Sequence, residues 1–155
     1  MSATAKPTHK QNTLCLLLRD DEILLALKKR GFGEGKWNGV GGKPNKGEPI
    51  KGAAIRETNE EIGVIPTSMR EVAHVYYQPY NIEMHVYLVT KWEGTPVESE
   101  EMMPKWFKKS EIPYKKMWDS DSKWLPLILR GKKLTAKFLY DDNNHILEES
   151  IEEWR

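Results

Sequence analysis

The chain is predicted to fold as an α/β sandwich built on a mixed sheet. Strand-like apolar runs stand on both sides of one well-bounded helix, a second helical stretch follows late, and no linker or repeat divides the 155 residues. Layers of this kind arise when helices cover the faces of a sheet, and a chain of this length can bury roughly 70% of its unfolded surface as one domain.

Residues 1–12 are polar and aperiodic, so a flexible tail is expected, with the single domain spanning 13–155. Thr13 to Arg19 and Ile23 to Lys28 are apolar runs separated by Asp20-Asp21, which reads as two strands and a tight turn. RGFGEGKWNGVGGK follows, too rich in glycine for a strand or helix and suited to close backbone approach to a ligand. Pro49 suits a helix start and Gly63 a left-handed stop, giving a helix from Pro49 to Ile62 about 20 Å long. Its apolar stripe is Ala54, Thr58 and Ile62, with Ile55 beside it.

Val72 to Tyr77 and Ile82 to Trp92 read as strands around QPYN, and GTPVESEEMMP as a polar loop before a short strand at Trp106-Phe107. SEIPYKKMWDSD is irregular with helical turns; Ser120 or Asp121 can cap a helix through Trp124, Leu127 and Ile128. Alternation at Leu134, Ala136, Phe138 and Tyr140 ahead of DDNN predicts a closing hairpin.

Twenty-four basic against 23 acidic residues leave a net charge of +1, so no global field favours nucleic acid or an anionic membrane. Phosphate chemistry would have to be local. Cys15, the single cysteine, lies in TLCLLL and reads as packing, and the absence of a secretory or membrane-spanning pattern makes the cytoplasm the expected compartment. The four histidines lack metal-like spacing, and structural or surface roles are expected for them.

RETNEEIG is the anomalous stretch. On a helix Glu57, Glu60 and Glu61 are neighbours, and each like-charge pair costs about 0.2–0.5 kcal/mol when exposed. Positions 53, 54, 64 and 65, which could neutralise Glu57 and Glu61, are Ala, Ala, Val and Ile; Arg56 alone stands four before Glu60. A solvated acidic face and a hard-cation site both remain open on this ground, the latter because Mg²⁺ favours carboxylate oxygens completed by water and phosphate.

Gly42 through Val64 resembles the Nudix box, G-x5-E-x7-R-E-U-x-E-E-x-G-U, with Gly42, Glu48, Arg56, Glu57, Glu60, Glu61 and Gly63 at its fixed positions and Thr58 where a bulky aliphatic is usual. KKRGFGEGKWNGVGGK, GTPVESEEM and IPYKKMWDSDSKWLPLIL are similar to the MutT-homologue branch that hydrolyses oxidised purine nucleoside triphosphates. The resemblance implies the Nudix fold, an α/β/α sandwich with mixed β-sheets. It also implies hydrolysis of substrates such as 8-oxo-dGTP or 2-hydroxy-dATP to monophosphate and pyrophosphate, a sanitisation of the nucleotide pool that averts DNA damage.

By the same resemblance Gly41 (through its carbonyl), Glu57, Glu60, Glu61 and Glu101 are expected to hold Mg²⁺, with Mn²⁺ as a substitute. Glu61, with Glu101 second, is the expected general base, and Arg56 orients the glutamates. Glu48 holds the loop by accepting backbone N–H bonds. Lys28 and Lys43 are candidates for phosphate, and Thr13, Asn38, Tyr77, Trp118, Asp119 and Asp121 for the base, where amides read purine edges and aromatic faces stack. Trp92, Trp106 and Trp124 are read as packing. Two departures bear on base preference. Ser120 stands where the branch carries the first of two adjacent aspartates, and YYQPYNIEMH is shorter than the family loop. A monomer acting on a free nucleotide, without a nucleic-acid polymer or a membrane, is expected. Other Nudix substrates (ADP-ribose, a dinucleoside polyphosphate, a normal or methylated dNTP) and a non-catalytic nucleotide-binding module stay as alternatives.

Overall fold

LCLLL is apolar at every position, the mark of a strand covered on both faces rather than one. In the computed structural model, which describes residues 9–155, this run is the middle of β1 (Lys10–Arg19). The strand starts three residues before the expected Thr13; the first eight residues of the expected tail lie outside the described residues. The other strands are β2 (Glu22–Lys28), β3 (Trp37–Asn38), β4 (Ile65–Gln78), β5 (Ile82–Glu93), β6 (Met102–Lys108), β7 (Leu134–Tyr140) and β8 (Ile146–Glu153). The helices are α1 (Ile50–Ile62) and α2 (Asp121–Leu129), with short 3₁₀ turns at Lys109–Glu111 and Tyr114–Lys116.

The sheet runs β3-β2-β1-β5-β4-β7-β8, and β6 pairs with β2. β1–β5 and β4–β7 are parallel and the other pairs antiparallel, so the sheet is mixed. Alternate residues of β1 feed two cores. Leu14 and Leu16 pack with Val75, Met84, Val86, Phe138 and the α2 residues Trp124, Leu125 and Ile128. Cys15 and Leu17 pack with Ala54 and Ile62 of α1, and with Leu24, Tyr87 and Val89. One helix thus covers each face.

α1 begins and ends where its sequence dictates. Pro49, extended at φ −62° and ψ 146°, precedes the first turn, and Gly63 closes the helix at φ 72°, its N–H donating to the Asn59 carbonyl. Thr58, the unusual member of the buried stripe, is fully covered and donates its hydroxyl to the Ala54 carbonyl at 2.7 Å, so its polar atom is satisfied within the helix. Cys15 lies beneath the same turn as a free buried thiol, pushed up to about 11 by burial.

Several segments differ from expectation. β4 and β6 are longer than the runs read at Val72–Tyr77 and Trp106-Phe107, because edge pairing with β5 and β2 carries residues whose own patterns are weak. Ser120 occupies the position before α2 without accepting a capping bond from a first-turn N–H; its own backbone is already helical. Pro126 sits inside α2. Among the described residues no helix is long and apolar enough to cross a membrane.

Gly63→Ala is expected to lose about 1 kcal/mol from the left-handed backbone alone. The Val97 methyl 3.1 Å from the new Cβ adds to the loss. A thermal melt should fall by roughly 2–5 °C; an unchanged midpoint would show that α1 does not depend on this stop.

Candidate active site

Arg56 resolves the electrostatic problem of its own helix. Its Nε and Nη2 donate to the two oxygens of Glu48 at 2.9 Å each, and Nη2 also reaches the Lys43 carbonyl at 3.1 Å. Its Nη1 donates to Glu57 Oε1 at 2.8 Å and Glu60 Oε2 at 3.1 Å. Five N–H groups thus make five bonds, and the loop before α1 is tied to two of the three clustered glutamates. Glu48 Oε1 also accepts the Asn45 N–H at 2.9 Å, and the Arg56 hydrogen bonds hold its carboxyl below the usual range.

Gly41 and Gly42 thread between β1 and α1. Thr13 Oγ1 donates to the Gly42 carbonyl at 2.9 Å and accepts the Gly42 N–H at 3.1 Å, which commits this hydroxyl to the loop. A Cβ on Gly41 would lie 1.9 Å from the Thr13 carbonyl oxygen, and one on Gly42 would lie 2.3 Å from Glu57 Oε2. Only glycine fits at 41, and a side chain at 42 would displace the Glu57 carboxylate.

Glu61 lies deeper. Burial, then the charges of Glu57 and Glu101, pushes its carboxyl up to about 8, while the Gly41 N–H and Lys28 pull the other way. Its Oε2 is buried without a hydrogen-bond partner. Arg56 takes a single oxygen from each of Glu57 and Glu60, and Glu57 Oε2 stands over Gly42. Crowded, partly unpaired carboxylate oxygens beside exposed loop backbone fit a hard divalent cation. Glu101 is near enough to raise Glu61, but its own carboxylate reaches Arg30 at 3.4 Å.

A cavity of about 300 Å³ is lined by Glu61, Gly41, Lys28 and Lys43 together with aromatic side chains. Thr13, Asn38, Tyr77 and Trp118 also line it. Asn38 Oδ1 accepts the Gly39 N–H at 2.9 Å. Trp118 is braced by Phe32, with centroids 5.2 Å apart, and Lys36 Nζ lies 5.1 Å over its ring. Tyr77 stacks 6.1 Å from Tyr140 and 6.2 Å from Phe138. Phe32, Tyr80 and Tyr140 were not among the residues singled out from sequence. Phe32, 60% exposed inside a glycine-rich loop, carried the clearest missed signal. That loop is pinned at its base by Gly35 N–H to Lys28 O at 2.9 Å and Lys28 N–H to Lys36 O at 3.1 Å.

The structure separates the residues expected to meet the base. Asp119 lies outside the cavity, in a shallow depression with Tyr114, Lys115 and Lys123, because the turn into α2 points it away. Asp121 is buried behind the aromatic wall, its electrostatic neighbours including Tyr77 and Tyr140. Ser120 Oγ, Asp121 Oδ2, Trp124 Nε1 and Tyr140 OH are all buried without a completed hydrogen bond. Burial pushes Asp121 up to about 7, against the pull of the Trp118 backbone N–H and the Trp124 indole, and pushes Tyr140 up to about 12.

The NUDIX domain family model matches residues 8–128. Over 150 residues, 94% of this chain and 96% of the relative, the chain is 41% identical to a mouse (Mus musculus) protein named oxidized purine nucleoside triphosphate hydrolase. It is 37% identical, with the same shares covered, to a Danio rerio protein of that name. In fold it is similar to the crystal structure of a MutT protein from Bacillus halodurans, with a TM-score of 0.81 over 92% of this chain and 97% of the other at 24% identity. The chain belongs to the NUDIX domain family, whose members generally use a divalent metal.

Two outcomes are expected. Arg56→Lys keeps the charge but replaces the planar fork by a point charge that cannot satisfy Glu48, Glu57 and Glu60 together. Divalent-metal affinity or turnover should fall about 10- to 100-fold, read by metal titration; unchanged values would remove Arg56 from its organising role. The second concerns Asp121. With its folded value above the unfolded 3.8, the folded state keeps a proton that the unfolded state has lost, so stability falls as pH rises from about 4 to about 7. Asp121→Asn removes this slope. Relative to wild type it should gain on the order of 4 kcal/mol between pH 4 and pH 8 in denaturant titrations; parallel pH profiles would sink the argument.

Proposed function

We propose that this Nudix hydrolase cleaves oxidised purine nucleoside triphosphates to the monophosphate and pyrophosphate, with Mg²⁺ as its cation. The observation that carries the reading is one continuous cavity lined both by Glu61 of the acidic cluster and by the aromatic faces of Tyr77 and Trp118. A purine fits the flat walls, and its phosphates reach the charged end. The names of the mouse and Danio rerio relatives, similar over nearly the whole chain, support the same substrate class.

Glu57, Glu60 and Glu61, with the Gly41 carbonyl, would hold the cation. When bound it neutralises phosphate charge and acidifies water. Lys28 and Lys43 line the same cavity and would each add a positive charge for the phosphates. Water attacks phosphorus, a bridging P–O bond breaks with pyrophosphate as the leaving group, and Glu61 accepts the proton of the attacking water. Burial among Glu57 and Glu101 keeps Glu61 protonated near neutral pH until positive charge offsets theirs, so the base becomes available when the site is loaded. Glu101 completes the acidic set from the loop before β6.

At the other end Trp118 and Tyr77 supply stacking faces and Asn38 offers its amide to the purine edge. Asp121, held near neutrality, gives the wall behind them a group that can keep or release a proton. We assign this activity to one domain, which begins with β1 at Lys10, acting as a monomer in the cytoplasm.

Initial rates with Mg²⁺ on 8-oxo-dGTP, 2-hydroxy-dATP, the four normal dNTPs, a methylated purine triphosphate and ADP-ribose, with product identification, test this reading. Oxidised purine triphosphates should be preferred and should release pyrophosphate. Release of pyrophosphate from none of the triphosphates overturns it. Glu61→Gln should lower kcat on the order of a hundredfold or more, whereas near-wild-type turnover would move the base to Glu101.

A further inference from the structure

On β4 and β5, facing away from Val75 and Met84, lies a polar cluster that hydrolysis does not use: Glu71, His74 and His85. The two histidines are direct cross-strand partners. Glu71 stands three residues before His74, which in a regular strand puts it on the other face. The register shift between Glu71 and Ala73 inserts an extra residue and returns the carboxylate to the histidine side.

Glu71 Oε1 is 2.5 Å from His74 Nε2, Glu71 Oε2 is 3.5 Å from His85 Nδ1, and the two rings stand 4.7 Å apart at 70°. The three residues each offer a donor atom within 4.8 Å of the others. The tautomer of His85 follows from its neighbours. Gln11 Nε2 donates to Glu83 Oε1 at 3.0 Å and to the His9 carbonyl at 3.2 Å, so the amide oxygen is the atom 2.6 Å from His85 Nε2. An amide oxygen only accepts; Nε2 therefore carries the proton and Nδ1 of the neutral ring presents a bare lone pair. That Nδ1 is buried, makes no hydrogen bond, and faces a carboxylate oxygen.

A lone pair aimed at a carboxylate is repulsive unless a cation lies between them. A proton shared by His74 and Glu71 Oε1 does not reach Nδ1 of His85. Two imidazoles and one carboxylate are a donor set suited to Zn²⁺ rather than Mg²⁺. Ligands about 2.0 Å from a tetrahedral zinc lie roughly 3.3 Å from each other, a spacing the present distances bracket. Gln11 on the far nitrogen of His85 is the kind of outer partner that orients a ligating ring. His74 and Glu71, with side chains 28% and 32% exposed, leave a way in from solvent beside the Trp154 ring that packs on His74.

We propose that Glu71, His74 and His85 form a second cation site, for Zn²⁺, separate from the glutamates of α1. Its occupant would clamp β4 to β5 and, through Gln11, to β1. His85 pairs with Thr13, the residue that holds Gly42, so the clamp sits one strand from the cavity loop.

Full-length protein stripped with a chelator, incubated with Zn²⁺ under a large excess of Mg²⁺ and desalted, should retain about one zinc per chain by elemental analysis. His74→Gln and His85→Gln should each weaken retention at least about tenfold. A Glu57→Gln/Glu60→Gln double variant should retain zinc as the wild type does. Cobalt loaded into the wild type under the same Mg²⁺ should give the intense visible bands of a four-coordinate site, a reading independent of how any variant folds. No zinc retained by the wild type, equal retention by both histidine variants, loss in the glutamate variant, or a weak six-coordinate cobalt spectrum would each overturn the proposal.

Discussion

The five hydrogen bonds of Arg56 are the constraint on which the rest of the site depends. A helix that carries Glu57, Glu60 and Glu61 on neighbouring turns needs positive charge, and Arg56 supplies it from within the same turn. The bidentate grip on Glu48 fixes the start of α1, and the Lys43 carbonyl brings the loop into the same network. The guanidinium therefore sets both the spacing of the carboxylates and the path of Gly41 and Gly42 beside them. Lysine has the charge without the planar fork, so it cannot serve all these partners at once.

Against this rigid charged end, the aromatic end is assembled from distant parts of the chain. Trp118 comes from the turn before α2, Phe32 from the glycine loop, Tyr77 from β4 and Tyr140 from β7. Behind them Ser120, Asp121, Trp124 and Tyr140 gather four buried polar atoms whose hydrogen bonds to one another are incomplete. Such a layer costs stability unless something makes use of it. Serine at 120 leaves one carboxyl, Asp121, rather than two sharing the space, so proton placement in the wall rests on a single titrating group.

How legible these features were in the sequence follows from the distance over which each is determined. α1 was readable to within one residue because Pro49 and Gly63 act on their own backbone, and the Glu57–Glu60–Glu61 spacing fixes a helix face locally. The two-faced burial of β1 was equally visible in LCLLL. What escaped depends on tertiary contact. Tyr140 joins the cavity only because β7 pairs with β4, and β6 extends to Met102 only because β2 offers an edge. Asp119 and Asp121 look equivalent in WDSDS, yet the turn into α2 sends one outside and buries the other. His74 and His85 meet only because β4 pairs with β5, and a bulge invisible in the sequence brings Glu71 to their side of the sheet.

The bonds that pin the glycine loop at Lys28, Gly35 and Lys36 also have an evolutionary consequence. Between them Phe32 and Gly33 line the cavity, and no residue of the segment contributes to either core. Changing the length of such a loop costs only about 0.6 kcal/mol per doubling in closure entropy. Substrate range in a lineage built on this scaffold can therefore drift through insertions and deletions at the rim, while the charged end, locked by two side-chain-free residues and one arginine, stays fixed.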